Sequence, residues 1–236
     1  MKRFVALAIP SLAAVTACAS TPGARPQDMS AAQHETTAGM LERQAESHEA
    51  QYEPGARAAP GTCAHPSWGP CWGDVVNPTE EHLKRADELR KAAADHRAAS
   101  RALREAEARA CAGLSPEDRD ISPFAHTEDI ASVEPLYRSG NPVEGWHDTR
   151  LRGAVVTFRA VPGLTAPWLQ RLVDCHLARN AALGHDAPEM SFCPLQPRDV
   201  TARVTESGAG IAVAIDSDKA ETAREVLQRA RSLVSR

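Results

Sequence analysis

Val200-Thr201-Ala202-Arg203-Val204-Thr205-Glu206-Ser207-Gly208-Ala209-Gly210-Ile211-Ala212-Val213-Ala214-Ile215-Asp216 decides the fold class. Val200, Ala202 and Val204 alternate with Thr201, Arg203 and Thr205, and a period of two sends alternate side chains to opposite faces of a strand. Ser207-Gly208-Ala209-Gly210 supplies a turn, and Ile211, Val213 and Ile215 resume the alternation, so the stretch predicts a β-hairpin. Upstream, Ala154-Val155-Val156-Thr157-Phe158 is β-branched and aromatic, with Gly153 before it and Pro162-Gly163 after it, and predicts a further strand. Leu169, Leu172, Val173, His176, Leu177 and Asn180 recur at helical spacing, which predicts a helix over about 165–182. Beyond the hairpin, Asp218 and Glu221 have capping-box spacing. Ala223, Val226, Leu227, Ala230, Leu233 and Val234 then form the apolar stripe of a last helix.

Residues 153–236 therefore read as a small domain of order β-α-β-β-α. That order resembles a split βαβ sandwich without its last strand. Folds of this kind host unrelated functions, so the resemblance assigns no activity. The whole chain reads as α+β, with a long antiparallel helical hairpin ahead of the small domain.

The hairpin rests on residues 29–113. Residues 29–51 are rich in Ala, Glu, Gln and Met without a proline, and Pro54, Gly55, Pro60 and Gly61 end them. Thr79 stands as an N-cap before Glu80 and Glu81, where the helix dipole favours acids, and a long helix is expected to about Ala112. Gly113 can then take the left-handed closing position. Glu80/Lys84, Glu81/Arg85, Asp87/Lys91 and Glu105/Arg109 are i,i+4 pairs with the acid first. The two helices share a pattern: His34, Ala38, Leu41, Ala45 and His48 align with His82, Ala86, Leu89, Ala93 and His96. Steps of four and three set each series on one stripe, the spacing of a coiled-coil seam. In an antiparallel pair, His34 would meet His96 and His48 would meet His82. Neutral imidazole binds Zn²⁺ or Cu²⁺, although two histidines fall short of the four ligands of a closed zinc site. The reading set against metal binding makes them polar seam residues.

The chain opens Met1-Lys2-Arg3, runs through apolar Phe4–Ile9 and reaches Ala17 through small residues, the layout of a secretory signal over 1–17. Pro10 and Ser11 interrupt an apolar run already shorter than the about 20 residues of a membrane span. Val15-Thr16-Ala17-Cys18 resembles the lipobox of bacterial lipoproteins. The resemblance implies a thioether-linked diacylglycerol on Cys18, cleavage before it and acylation of the new amino end. Two or more acyl chains hold stably, at about 0.8 kcal/mol per buried CH₂. Ala19 and Ser20 stand where an aspartate implies inner-membrane retention, so the expected address is the periplasmic face of the outer membrane. Residues 18–28, with Pro22, Gly23 and Pro26, read as the lipidated cysteine and a flexible tether.

Cys63, Cys71, Cys111, Cys175 and Cys193 remain after Cys18. In an oxidising compartment disulfides are expected, and an odd count leaves a thiol over. Cys63–Cys71 closes a tight loop within 61–73, and Cys175–Cys193 would tie a helix to the loop behind it and leave Cys111 free. Cys111 can also replace a partner in that second pair. Cys63-Ala64-His65-Pro66-Ser67-Trp68-Gly69-Pro70-Cys71-Trp72 lacks CxxC spacing. It reads as a disulfide-closed loop before a metal site, with Trp68 and Trp72 as candidate partner contacts. Cys175, His176, His185 and Cys193 form a further conceivable metal cluster. The competing reading is a disulfide with His176 as a packing residue. Residues 114–152 are turn-rich and acidic and read as a connector. Ser115-Pro116-Glu117 can start a short helix there, no EF-hand spacing appears, and His126 and His147 read as surface residues.

There are 27 Lys+Arg against 31 Asp+Glu. Removing Lys2 and Arg3 with the signal shifts the formal net charge from −4 to −6. A mildly acidic chain offers no basic field to nucleic acid. GxSxG, HExxH, P-loop and GxGxxG patterns are absent, and no cofactor is indicated. The expected function is a membrane-anchored, non-catalytic binding or structural protein of the cell envelope, its partner another envelope protein or the cell wall. The alternatives are a periplasmic Zn- or Cu-binding protein using His34, His48, His82 and His96, and an enzyme gathering His176, His185 and an acid.

Overall fold

The computed structural model describes residues 26–57, 77–137, 150–208 and 210–235. The fold mixes helix and strand. Its elements run α1 (Ala31–Glu49), α2 (Glu80–Ala110), α3 (Pro116–Asp120), β1 (Ile130–Tyr137), β2 (Leu151–Phe158), α4 (Ala166–Ala182), β3 (Thr201–Ser207), β4 (Gly210–Asp216) and α5 (Ala220–Val234).

Ser30 and Gln33 start α1 reciprocally: the Ser30 hydroxyl accepts from the Gln33 amide, and the Ser30 amide donates to the Gln33 side chain. The 31 residues of α2 lie against α1 in the opposite direction. Ala38, Ala45 and Ala86 on the facing sides are fully buried, and Leu89 packs beside them. Small side chains let the backbones come close, which supplies the apolar contact that a helix with so polar an outer surface needs. Thr79 is the N-cap residue of α2, as its position before Glu80 and Glu81 implies, but its hydroxyl makes no capping bond. That hydroxyl instead accepts from the Glu53 amide and donates to Asn77 Oδ1, tying the exit of α1 to the entry of α2. Of the expected pairs along α2, Glu80–Lys84 and Glu105–Arg109 are formed. Arg90 and Arg97 reach across to Glu49 and Glu42 on α1. Gly113 closes the segment at φ +76°.

The region read as a connector contributes a strand. β1 pairs antiparallel with β2, β2 with β4, and β4 with β3, giving the order β1-β2-β4-β3. The order β-α-β-β-α is thereby corrected to β-β-α-β-β-α. Ile130 and Val133 of β1 pack on the core, but Pro135 and the acids around them hide the alternation. Val156, Val213 and Ile215 face inward and meet Leu169, Val173, Val226 and Leu233 of α4 and α5. Each such buried side chain contributes about 1.5–3 kcal/mol. α5 lacks the expected Asp218 cap: its N-cap is Lys219, with no side-chain bond. Arg152, held bidentately by Asp216 at 2.7 and 2.6 Å, also takes the Asp218 carboxylate.

The disulfide assignment is also corrected. Cys175 is bonded to Cys111, with a Cα–Cα distance of 4.6 Å, and Cys193 is a free, buried thiol. The C-terminal end of α2 lies on α4, so the residue just past that helix meets Cys175 directly. Cys193 belongs to the sheet core instead, with the Ser122 hydroxyl donating to its sulfur at 3.3 Å. Cys63 and Cys71 lie outside the described residues.

Candidate functional site

The seam spacing brings the helix histidines together in pairs. His34 Nδ1 and His96 Nδ1 are 2.8 Å apart, and His48 Nδ1 and His82 Nδ1 are 3.1 Å apart. His34 is fully buried, and its Nε2 lies 3.0 Å from the Pro26 carbonyl. A carbonyl only accepts, so Nε2 carries the proton, and the lone pair of His34 Nδ1 accepts from Nδ1–H of His96. Burial holds the His96 pKa below its ordinary value, repulsion from His34 when that ring is protonated adds to this, and Asp95 opposes it. Among the described residues, no group of three or more His, Cys, Asp and Glu is placed to hold a metal ion. Each pair therefore stands as two ligands at most.

The second conceivable cluster does not assemble. Cys175 is in the disulfide, and His176 Nε2 donates to the Asp118 carbonyl at 3.3 Å. His185 Nδ1 donates to the Gln196 carbonyl at 2.7 Å, while Cys193 lies under Ser122. Burial is the main cause that lowers His176 and His185 and raises the Cys193 thiol. An inert buried thiol and two histidines bonded to backbone carbonyls make no nucleophile–base pair. His126 is exposed, 3.3 Å from Glu128. Cys18, Trp68, Trp72, His65 and His147 lie outside the described residues.

A groove escaped the sequence reading. It lies where α3 and the chain after it cross the start of α4, with a volume of about 450 Å³, within the usual range for small-molecule sites of about 300–1,000 Å³. Phe158, Leu169 and Leu172 form its floor and are also core residues, so the floor is rigid. Leu164 and Trp168 form one wall and Ile121 and Pro123 the other. Thr165 sets the wall in place: its hydroxyl accepts from the Trp168 amide as the N-cap of α4, and Pro167 sits in the first turn. Leu164 and Leu169 hold the N′ and N4 places of a hydrophobic staple, the one local signal of this corner. Glu117, Asp118, Asp129 and His126 stand at the rim.

In comparisons with protein-family models, curated proteins and solved structures, nothing matches this chain.

Proposed function

We propose that the chain is a bacterial envelope lipoprotein, anchored through Cys18 on the periplasmic face of the outer membrane, with a non-catalytic binding module as its folded head. The observation that carries this reading is the Cys111–Cys175 bridge. Such bonds persist in oxidising compartments and are rare in the cytosol, which agrees with a signal ending at the lipobox. No helix among the described residues is long and apolar enough to cross a membrane. In this reading α1 and α2 form a helical hairpin that acts as a stalk, α2 alone extending about 46 Å at 1.5 Å per residue, and the bridge welds the stalk to α4. The head is a split βαβ unit whose missing outer strand is supplied from the N-terminal side by β1. The groove beside Trp168 gives the head somewhere to bind a ligand.

Intact-mass analysis and fractionation test the address. The expected result is a chain beginning at Cys18 with diacylglyceryl and acyl additions, recovered with outer membranes. The Cys18→Ser variant stays unlipidated. Wild-type sulfur without lipid, or residence in the cytosol, overturns the reading. Crosslinking of envelopes with wild-type and Trp68→Ala/Trp72→Ala chains tests whether that loop meets an envelope protein or cell-wall partner.

The convergence of His34 with His96 and of His48 with His82 favours a second reading, binding of Zn²⁺ or Cu²⁺ at the stalk. The His34 Nε2–carbonyl bond orients the ring as the outer partners of metal-bound histidines do. Metal titration of the purified chain decides it. Binding tighter than micromolar that is lost on changing these four histidines supports it; binding unaffected by those changes rejects it.

A further inference from the structure

The groove under Trp168 joins an apolar interior to an acidic mouth, and the two features call for one kind of occupant. Its floor and walls are apolar, and Ile121 at the edge is 49 % exposed, an apolar side chain left half in water beside an opening. Three carboxylates line the site, those of Glu117, Asp118 and Asp129, against His126 and no lysine or arginine. Among the described residues none of the three is in an ion pair. Among the described residues the Asp118 carboxylate accepts a hydrogen bond from Ser115 Oγ at 2.9 Å, the hydroxyl of its own helix cap. The guanidinium of Arg159, which follows the floor residue Phe158 in the chain, is turned to the Glu128 carbonyl. An anion entering here would meet like charge over a low-dielectric floor, whereas a cation would gain from the carboxylates and from the ring of Trp168.

We propose that this groove binds a small organic cation, an amine or ammonium head on an apolar body. The body would lie against Leu164, Leu172 and Phe158, with the head at the mouth between Glu117 and Asp129. This inference deepens the binding-module reading and rests on it. A neutral ligand of the same shape would keep the apolar contact and lose the charge pairing, so the head sets the preference.

Three probes share one body and differ in the head: 4-phenylbutylamine, 4-phenylbutanol and 4-phenylbutanoate. Binding to the full-length chain in nonionic detergent is read by saturation-transfer NMR against the Trp168→Ala variant, since partition into micelles is common to both. The expected order is amine over alcohol by about tenfold, with no binding of the acid. Glu117→Gln/Asp129→Asn should bring the amine down to the alcohol and leave the alcohol unchanged, and Trp168→Ala should weaken both. Equal binding of acid and amine, or an amine preference that survives the double variant, overturns the proposal. Binding of none of the three overturns it too, while lipidation of Cys18 would still uphold the envelope address. Chemical conversion of the bound amine would instead refute the non-catalytic reading.

Discussion

His34 and His96 face each other through like atoms, Nδ1 to Nδ1 at 2.8 Å, while the far nitrogen of His34 is committed to the Pro26 carbonyl. Room exists for one proton between the two rings. Protonating both would turn two N–H groups on each other across the seam, so the contact needs at least one neutral imidazole. His48 and His82 repeat it at the other end at 3.1 Å, with Ala38, Ala45, Ala86 and Ala93 buried between. The α1–α2 pair is clasped by histidines at both ends of an alanine seam.

This geometry makes the clasp sensitive to acid. His96 is depressed first by burial and then by His34, with Asp95 opposing. Arg97, next to His96 in the chain, is paired with Glu42 and also feels Glu35. A histidine depressed in the fold takes up protons more readily when unfolded, so its contribution is whole above the unfolded value of about 6.5. It is lost as pH falls through that value towards the lower folded one. His176 and His185 act in the same direction. Urea midpoints at pH 7.5 and 5 should therefore fall more in wild type than in His96→Gln. Equal falls would show that this pair does not titrate on folding.

The bridge between α2 and α4 closes a loop with a sequence separation of 64. In the chain-entropy account that constraint stabilises by about 4 kcal/mol. Cys175→Ser should lower the unfolding free energy by about 2–5 kcal/mol, read by denaturation under non-reducing conditions. Cys193→Ala should leave the bridge intact. Peptide mapping should recover Cys111 joined to Cys175 and Cys193 alkylated only after unfolding; a Cys175–Cys193 peptide would contradict the assignment.

What the sequence discloses here depends on how local the cause is. The seam is local: helical spacing alone placed His34, Ala38 and Ala45 on one side, and the facing series obeyed the same rule. The hairpin of β3 and β4 is equally local, through alternation and a glycine turn. β1 was missed because Ile130 and Val133 are core residues among acids and a proline, and pairing with β2 overrides a poor propensity. The disulfide was misassigned because proximity along the chain favoured Cys193, whereas the packing of α2 on α4 decides the partner. The groove draws on α3, β2 and α4, and no spacing connects Glu117 with Trp168.

The seam also predicts which substitutions the α1–α2 pair refuses. Ala38 and Ala86 are fully buried between two helices whose other surfaces carry ion pairs. Ala86→Leu inserts methylenes where no space exists, and overpacking typically costs about 1–3 kcal/mol. Glu42→Gln breaks the half-buried cross-helix pair with Arg97 and should cost less than Ala86→Leu. Circular dichroism during urea titration checks both, and an Ala86→Leu chain as stable as wild type would mean that the helices do not approach this closely.

Gly153 tests the sheet. It lies in β2 opposite Leu136 of β1 and Asp216 of β4, at φ +150°. A Cβ there would stand 2.0 Å from the Ile215 carbonyl oxygen, a backbone atom that cannot turn aside. Relief requires β2 and β4 to separate where Arg152 grips Asp216. Gly153→Ala therefore combines backbone strain of about 1–3 kcal/mol with a disturbed strand pair. The expected result is a loss above that of Ala212→Gly, a half-buried position on β4 that gives up only a methyl group. Amide exchange should rise first along β2 and β4 and later, if at all, along α1 and α2, because the defect lies in the sheet and the helix pair meets that part of the fold chiefly through α4. Uniform exchange across both would show that stalk and head unfold as one unit.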